Sequence, residues 1–196
     1  MRGEAININR MIDATLAEGP GLRAAIWVQG CLRRCPGCCN VDQLAIEERM
    51  LVPVDAICER IAAAKDEYGI EGVTFLGGEP LLQAEGLAPV AAFAHALGLT
   101  VMVFTGYTLE ELRRNPLAGS DELLEATDVL VDGAYLADRV EKIRNWVGST
   151  NQRFHYFTAA YDASIETDPR CRHVVELREE DDRLLLNGCP HIAGML

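Results

Sequence analysis

Four runs of almost unbroken apolar residues set the tightest limit on how this chain can fold: LRAAIWVQG at 22–30, GVTFLGGEP at 72–80, LTVMVFTG at 99–106 and DVLVDG at 128–133. A strand with one wet face alternates apolar and polar residues. These runs are apolar at successive positions, the pattern of strands covered on both faces in a parallel sheet. Helical periods separate them. VDAICERIAAAKDEY at 54–68 spaces Ile57, Ile61, Ala64 and Tyr68 as a helix face, with Pro53 just ahead, where a helix start tolerates proline. LAPVAAFAHALG at 87–98 predicts a second helix closed by Gly98, and LEELRRNP and DELLEA give further helical turns. The alternation predicts an α/β fold of mostly parallel strands with helices packed against them.

Other segments are less sharply patterned. AININRMIDAT at 5–15 is extended, and EGPG at 18–21 is a turn. WVGSTNQRFHYFT at 146–158 suggests a turn followed by a strand, and 172–188 two strands around the solvated acidic turn Glu179–Asp182, a terminal hairpin.

Ligands of parallel α/β sheets gather at the carboxyl ends of the strands. The four runs end in QGC, GGEP, TGY and DG, so polar or glycine-rich chemistry is expected on one rim. Composition narrows the classes. The 196 residues are 49% hydrophobic and 24% charged, too apolar for disorder and of a length that suggests one domain. A net charge of −12 argues against general binding to nucleic acid or anionic membranes. No apolar run approaches the ~20 residues of a membrane span, and MRGEAININR lacks a secretory signal, so a cytoplasmic protein is expected.

CLRRCPGCCN at 31–40 then places four of the seven cysteines within nine residues. Cytosolic disulfides seldom persist. Adjacent Cα atoms ~3.8 Å apart would strain a Cys38–Cys39 bridge. Zinc commonly takes two separated pairs of ligands, whereas here three cysteines come from one loop with no matching pair. Three thiolates around an iron–sulfur cube, with one iron left over, suit Cys31, Cys35 and Cys38 better.

That spacing resembles the cluster signature of the radical S-adenosylmethionine (SAM) superfamily. EGPGLRAAIWVQGCLRRCPGCCN, FLGGEPLL, VFTGYTLEEL, DVLVDG and WVGSTNQR, in that order, resemble the small activases of glycyl-radical enzymes, nearest the branch that activates anaerobic ribonucleotide reductase. The resemblance covers roughly residues 5–155. Two positions depart from it: Gly37 stands where the superfamily often has an aromatic residue, and Cys39 where that branch usually has one.

The resemblance implies a partial (β/α) barrel with outer helices over 1–158, with 159–196 a C-terminal β-hairpin extension packed on the same domain. It implies a [4Fe-4S] cluster on Cys31, Cys35 and Cys38 whose fourth iron chelates SAM. Reductive cleavage would give a 5′-deoxyadenosyl radical that abstracts hydrogen, installing a glycyl radical on a partner enzyme. Gly77, Gly78 and Glu79 would line the SAM amino group, with Glu79 its partner and the glycines admitting the ligand. Thr105, Gly106 and Asp132 would contact its ribose or methionine part, and Gly37 and Cys39 its adenine end. A flavodoxin-like or ferredoxin-like electron donor is expected, to which Arg33 and Arg34 would offer a small basic point. Ser149, Asn151 and Gln152 are weaker candidates, and His155 reads as a packed or surface histidine. Cys58 reads as a buried structural thiol. The pairs Cys171/His173 and Cys189/His191 have spacing too tight for an ordinary metal site. Two alternatives stay open: the same radical chemistry on a small molecule or peptide in biosynthesis, and a non-catalytic metal-binding protein.

Overall fold

The computed structural model describes residues 5–171, 174–180 and 183–188. In chain order the elements are β1 (Ala5–Thr15), β2 (Arg23–Val28), β3 (Leu51–Pro53), α1 (Val54–Tyr68), β4 (Gly72–Gly77), α2 (Ala84–Ala96), β5 (Thr100–Phe104), α3 (Leu109–Arg114), α4 (Ser120–Glu125), β6 (Val129–Asp132), β7 (Arg153–Tyr156), β8 (Val175–Glu180) and β9 (Arg183–Gly188). One seven-stranded sheet runs β3-β1-β2-β4-β5-β6-β7, and β8 and β9 form a separate hairpin. The four apolar runs are its central strands, β2, β4, β5 and β6, each parallel to the next. Antiparallel strands close both sides.

The alternation of side chains sorts the strands into two cores. Ala24, Ile26, Val28, Val73, Phe75, Val101 and Val103 pack with Ile57, Ile61, Leu87 and Val90 of α1 and α2. Burying one such side chain fully contributes about 1.5–3 kcal/mol, so this layer holds the sheet to its helices. On the other face Ala25, Trp27 and Leu76 form one small cluster, and Met102, Val129, Val131 and Val147 another. Trp27 and Phe104 of this second face also line the large cleft of the molecule.

Helix α1 behaves as its sequence predicts at its ends. Pro53 precedes it, and Gly69 ends it in the left-handed region (φ 68°), donating to the Lys65 carbonyl. Its buried stripe is Val54, Ile57, Ile61 and Ala64, while Tyr68, its last residue, is 47% exposed. The edge strand β3 is not signalled by the sequence; three residues are too few to show a period. The expected C-terminal hairpin is present, although residues 181–182 of its acidic turn lie outside the described residues.

The hairpin is tied to the first strand and the turn that follows it. Glu176 accepts from the Thr15 hydroxyl (2.7 Å) and the Leu16 N–H (2.8 Å), and Asn187 donates to Thr15 Oγ1 (2.9 Å). The Gly188 N–H donates to Glu18 (2.6 Å). Arg23, fully buried and the register partner of Thr15, anchors the same end of the sheet through Thr74, the Val73 carbonyl, Thr100 and Tyr161. Among the described residues no helix is long and apolar enough to cross a membrane.

Candidate functional site

The cysteine loop leaves β2 and is sewn to the turn after β4. The Gly78 N–H donates to the Val28 carbonyl and the Glu79 N–H to the Gly30 carbonyl, both at 2.9 Å. Within the loop, Gly30 donates to Gln43 (2.8 Å) and Cys31 to Leu44 (3.3 Å). Contacts this close explain both glycines of GGEP. A Cβ on Gly78 would stand 2.5 Å from the Gly30 oxygen, and one on Gly77 (φ 105°) 2.8 Å from Trp27 Cα. Both glycines line the cleft, but the neighbour that demands them is the chain's own backbone rather than a ligand.

Cys31 is buried, Cys35 and Cys38 are half-buried, Cys39 is exposed, and none of the described cysteines forms a disulfide. Burial raises the Cys31 thiol, while the N–H groups of Arg33 and Arg34 point at its sulfur and favour the thiolate. Cys38 is likewise raised by burial and opposed by the Asn40 N–H, which donates to its sulfur at 3.4 Å. Such N–H···S contacts are the support a metal-bound thiolate needs. Among the described residues no group of three or more His, Cys, Asp or Glu side chains is arranged to hold a single metal ion. Thiolates that each hold a different iron of a cube need not converge on one point. The donor set and its N–H support therefore fit an iron–sulfur cluster.

Cys31, Cys35, Gly37 and Cys39 open onto a cleft of about 610 Å³, a volume suited to a small-molecule cofactor. Cys38 does not line it. The opposite rim brings Gly77, Gly78 and Glu79 together with Thr105, Gly106 and Gly133, so three strand ends meet the cysteine loop as the sequence predicts. Glu79, 1% exposed, ties two of them: its Oε1 accepts from the Leu81 N–H (3.1 Å) and the Thr105 hydroxyl (2.7 Å), its Oε2 from the Gly106 N–H (2.8 Å). Burial raises its pKa against these three donors.

Asp132 is placed differently from its expected role. It is fully buried, outside the cleft wall, and accepts from the Leu109 N–H (2.7 Å) and from Arg153 Nε (3.0 Å) and Nη2 (2.6 Å). Its side chain fastens α3 and β7 to the end of β6. His155 Nε2 lies 3.0 Å from Asp132, off the line of a hydrogen bond, consistent with a packed histidine. Ser149, Asn151 and Gln152 shape the loop after β6. Gln152 accepts from the Gly148 (2.9 Å) and Ser149 (3.1 Å) N–H groups, Asn151 donates to Ala134 (2.8 Å), and Ser149 accepts from Leu136 (3.1 Å). Only Gln152 of the three lines the cleft. Arg33 turns inward: its guanidinium lies 4.2 Å from the Tyr107 ring centroid, pairs with Glu111 and lines the cleft. Cys58 is half-buried in α1, and His173, Cys189 and His191 lie outside the described residues.

Several wall residues were assigned no role by the sequence. Asn145 and Trp146 line the cleft from the segment before β7. Leu186, Asn187 and Gly188 of the hairpin also line it, as does Cys171. The one available sequence signal was the place of Trp146 at the head of WVGSTNQR; the hairpin's share of the wall follows from tertiary docking and leaves no local trace.

A three-cysteine loop sharing a cleft with glycine-rich strand ends defines an iron–sulfur protein with a cofactor pocket. The chain belongs to the 4Fe-4S single cluster domain family, whose model matches residues 17–155. Its curated relatives include anaerobic ribonucleoside-triphosphate reductase-activating proteins. That of Vibrio cholerae serotype O1 is 30% identical over 159 residues, covering 78% of this chain and 99% of the relative. That of Pasteurella multocida is 31% identical over 165 residues, with the same coverage. That of Enterobacteria phage T4 is 29% identical, covering 76% and 92%. Among solved structures, QueE from Escherichia coli overlaps 55% of each chain with a TM-score of 0.43 and 18% identity, too loose a likeness to place residues.

Proposed function

We propose that the chain is a radical SAM enzyme that installs a glycyl radical on a partner such as anaerobic ribonucleotide reductase, drawing its electron from a flavodoxin-like or ferredoxin-like donor. One observation carries the reading: the cysteine loop is hydrogen-bonded to the glycine turn of the adjacent parallel strand, so two of the cluster thiols, Cys31 and Cys35, open with the strand-end rim on one cleft. The relatives named as activating proteins support it.

Cys31, Cys35 and Cys38 would hold the [4Fe-4S] cluster, and the sheet would form the strands of a partial (β/α) barrel around it. When bound, the cluster and SAM supply reductive cleavage to a 5′-deoxyadenosyl radical that takes hydrogen from the substrate. The chain's residues bind and orient. Glu79 would use two acceptor directions to fix the Thr105–Gly106 strand end and a third on the Leu81 N–H, keeping a lone pair on Oε2 for the SAM ammonium. The backbone of Gly77, Gly78 and Thr105 walls the cofactor's other side, with Gly37 and Cys39 toward the adenine end. Asp132 supports this rim by holding β6, α3 and β7 in register. The wall residues Asn145, Trp146, Gln152, Cys171, Leu186 and Asn187 would exclude water.

Anaerobic reconstitution with iron and sulfide, followed by dithionite and SAM, tests the proposal. The expected results are 5′-deoxyadenosine and, on adding a glycyl-radical enzyme, a glycyl-radical EPR signal on that partner. A fully loaded cluster with no 5′-deoxyadenosine refutes the radical chemistry. A second reading, the same chemistry on a small molecule or peptide, draws support from the hairpin wall, since residues past 155 lie outside the family match and narrow the cleft. Turnover without any protein partner would select it.

A further inference from the structure

The backbone that follows β6 is fastened on both sides of Tyr135. The Gly133 N–H donates to the Tyr107 carbonyl (3.0 Å), and the Gly133 and Ala134 carbonyls accept from Gln152 Nε2 (3.3 Å) and Asn151 Nδ2 (2.8 Å). The Leu136 N–H donates to Ser149 Oγ (3.1 Å). Ser149, Asn151 and Gln152 therefore all grip neighbours of Tyr135, which gives the run GSTNQR a task.

The ring is seated as firmly as the backbone. An added Cβ would stand 3.3 Å from Tyr135 Cε1 at Gly37, and 3.0 Å from both its Cδ2 and Cε2 at Gly148. Gly37 lies between Cys35 and Cys38, so the ring reaches from the cysteine loop to the run before β7, with a glycine making room on each side. The hydroxyl is carried by the carbon between Cε1 and Cε2. It therefore stands between Gly37 and Gly148, both of which line the cleft together with Tyr135 itself. Tyr135 is half-buried, its hydroxyl is accessible, and among the described residues that hydroxyl has no hydrogen-bond partner. A phenol hydroxyl can both donate and accept. A ring locked by its surroundings, with a polar tip that its own chain leaves unanswered, is preorganised to bind a ligand.

We propose that Tyr135 holds the adenosyl end of SAM through its hydroxyl, and that Ser149, Asn151 and Gln152 are its positioning residues. This rests on the radical SAM reading of the cleft and deepens it by naming a residue for the end of the ligand that Glu79 does not serve. The neighbours of the two side chains differ: Glu79 is bonded to Leu81, Thr105 and Gly106, whereas Tyr135 meets Gly37 and Gly148.

Cluster-loaded wild type and Tyr135→Phe are compared by equilibrium dialysis against three ligands: SAM, 5′-methylthioadenosine, which lacks the ammonium and carboxylate, and methionine, which lacks the adenosyl group. Phenylalanine keeps the ring between its two glycines and removes a hydroxyl that has no partner in the chain, so the urea midpoints should coincide. The expected result is that SAM and 5′-methylthioadenosine each bind about 3–10-fold more weakly, the loss of one hydrogen bond, while methionine is unaffected. Asn151→Ala, which frees the Ala134 carbonyl, should weaken 5′-methylthioadenosine in the wild-type background and have no effect in Tyr135→Phe. An equal loss in both backgrounds overturns the positioning role. Unchanged affinity of Tyr135→Phe for 5′-methylthioadenosine, or a loss confined to methionine, overturns the assignment of Tyr135, and a wild-type protein that still installs the glycyl radical leaves the activase reading standing. The expected losses in a protein whose wild type releases no 5′-deoxyadenosine keep the adenosyl site and sink the activase reading.

Discussion

Replacing Gly78 by alanine puts a methyl group 2.5 Å from the Gly30 carbonyl oxygen and 2.9 Å from that of Gln43. Ordinary contacts of this kind begin near 3.5 Å, so the shortfall toward Gly30 is about 1 Å. Both opposing atoms are backbone, and no side-chain rotation relieves the clash. Gly78 has no positive φ, so crowding alone sets the penalty, about 1–3 kcal/mol for an overpacked site. The damage is local to the cluster, because Gly30 precedes Cys31 directly and is held from both sides by Gln43 and Glu79. Gly69→Ala supplies the comparison. Its φ is 68° with nothing within 4 Å of the added Cβ, so it costs about 1–2 kcal/mol through backbone conformation alone, far from the cysteines. Urea unfolding should find both variants destabilised by similar amounts, whereas iron per chain after anaerobic reconstitution should fall only for Gly78→Ala. Wild-type iron content and stability in Gly78→Ala would refute the direct sewing of the cysteine loop to the β4 turn.

Serine at Cys31, Cys35 or Cys38 should abolish the brown iron–sulfur absorbance, while Cys39→Ala and Cys171→Ala retain it; iron assay after reconstitution separates the two groups. Burial opposes ionisation of Glu141, but the Ile143 N–H, the Arg144 guanidinium and the Lys142 N–H together hold it down at about 2. Its stabilising effect is complete above the ordinary glutamate value of 4.5 and is lost as pH falls through about 2, so Glu141→Gln should flatten urea midpoints across that window. Thr15→Val removes the donor to Glu176 and the acceptor for Asn187, at about 1–3 kcal/mol, and limited proteolysis should then cut the hairpin before the sheet.

The central strands and their order along the chain were legible because apolar runs and helical periods are local signals, and residues 22–30 and 72–80 also carried their ligand chemistry at their ends. Glu79 and Thr105 could be found as rim residues from their place behind strands, but their mutual hydrogen bond could not. Asp132 shows the limit of that logic. It ends a strand as expected, yet its carboxylate faces Leu109 and Arg153, because side-chain direction at a strand end depends on what packs beside it. Arg33 was legible only as a charge; that it folds over Tyr107 depends on the path of the loop. Asn145 carried no signal and Trp146 stood only at the head of WVGSTNQR, because their place in the wall depends on a turn clamped by residues some 20 positions later.

The hairpin's attachment to the start of the chain has a consequence for biogenesis. Its hydrogen bonds join residues 160–176 positions apart, from Leu16–Glu176 to Arg10–Leu186. During translation the thiol-bearing loop leaves the ribosome well before the hairpin that lines the cavity's flank. Contacts of such long sequence separation also close late in folding. Until the hairpin docks, the nascent chain therefore keeps that side of the cleft open.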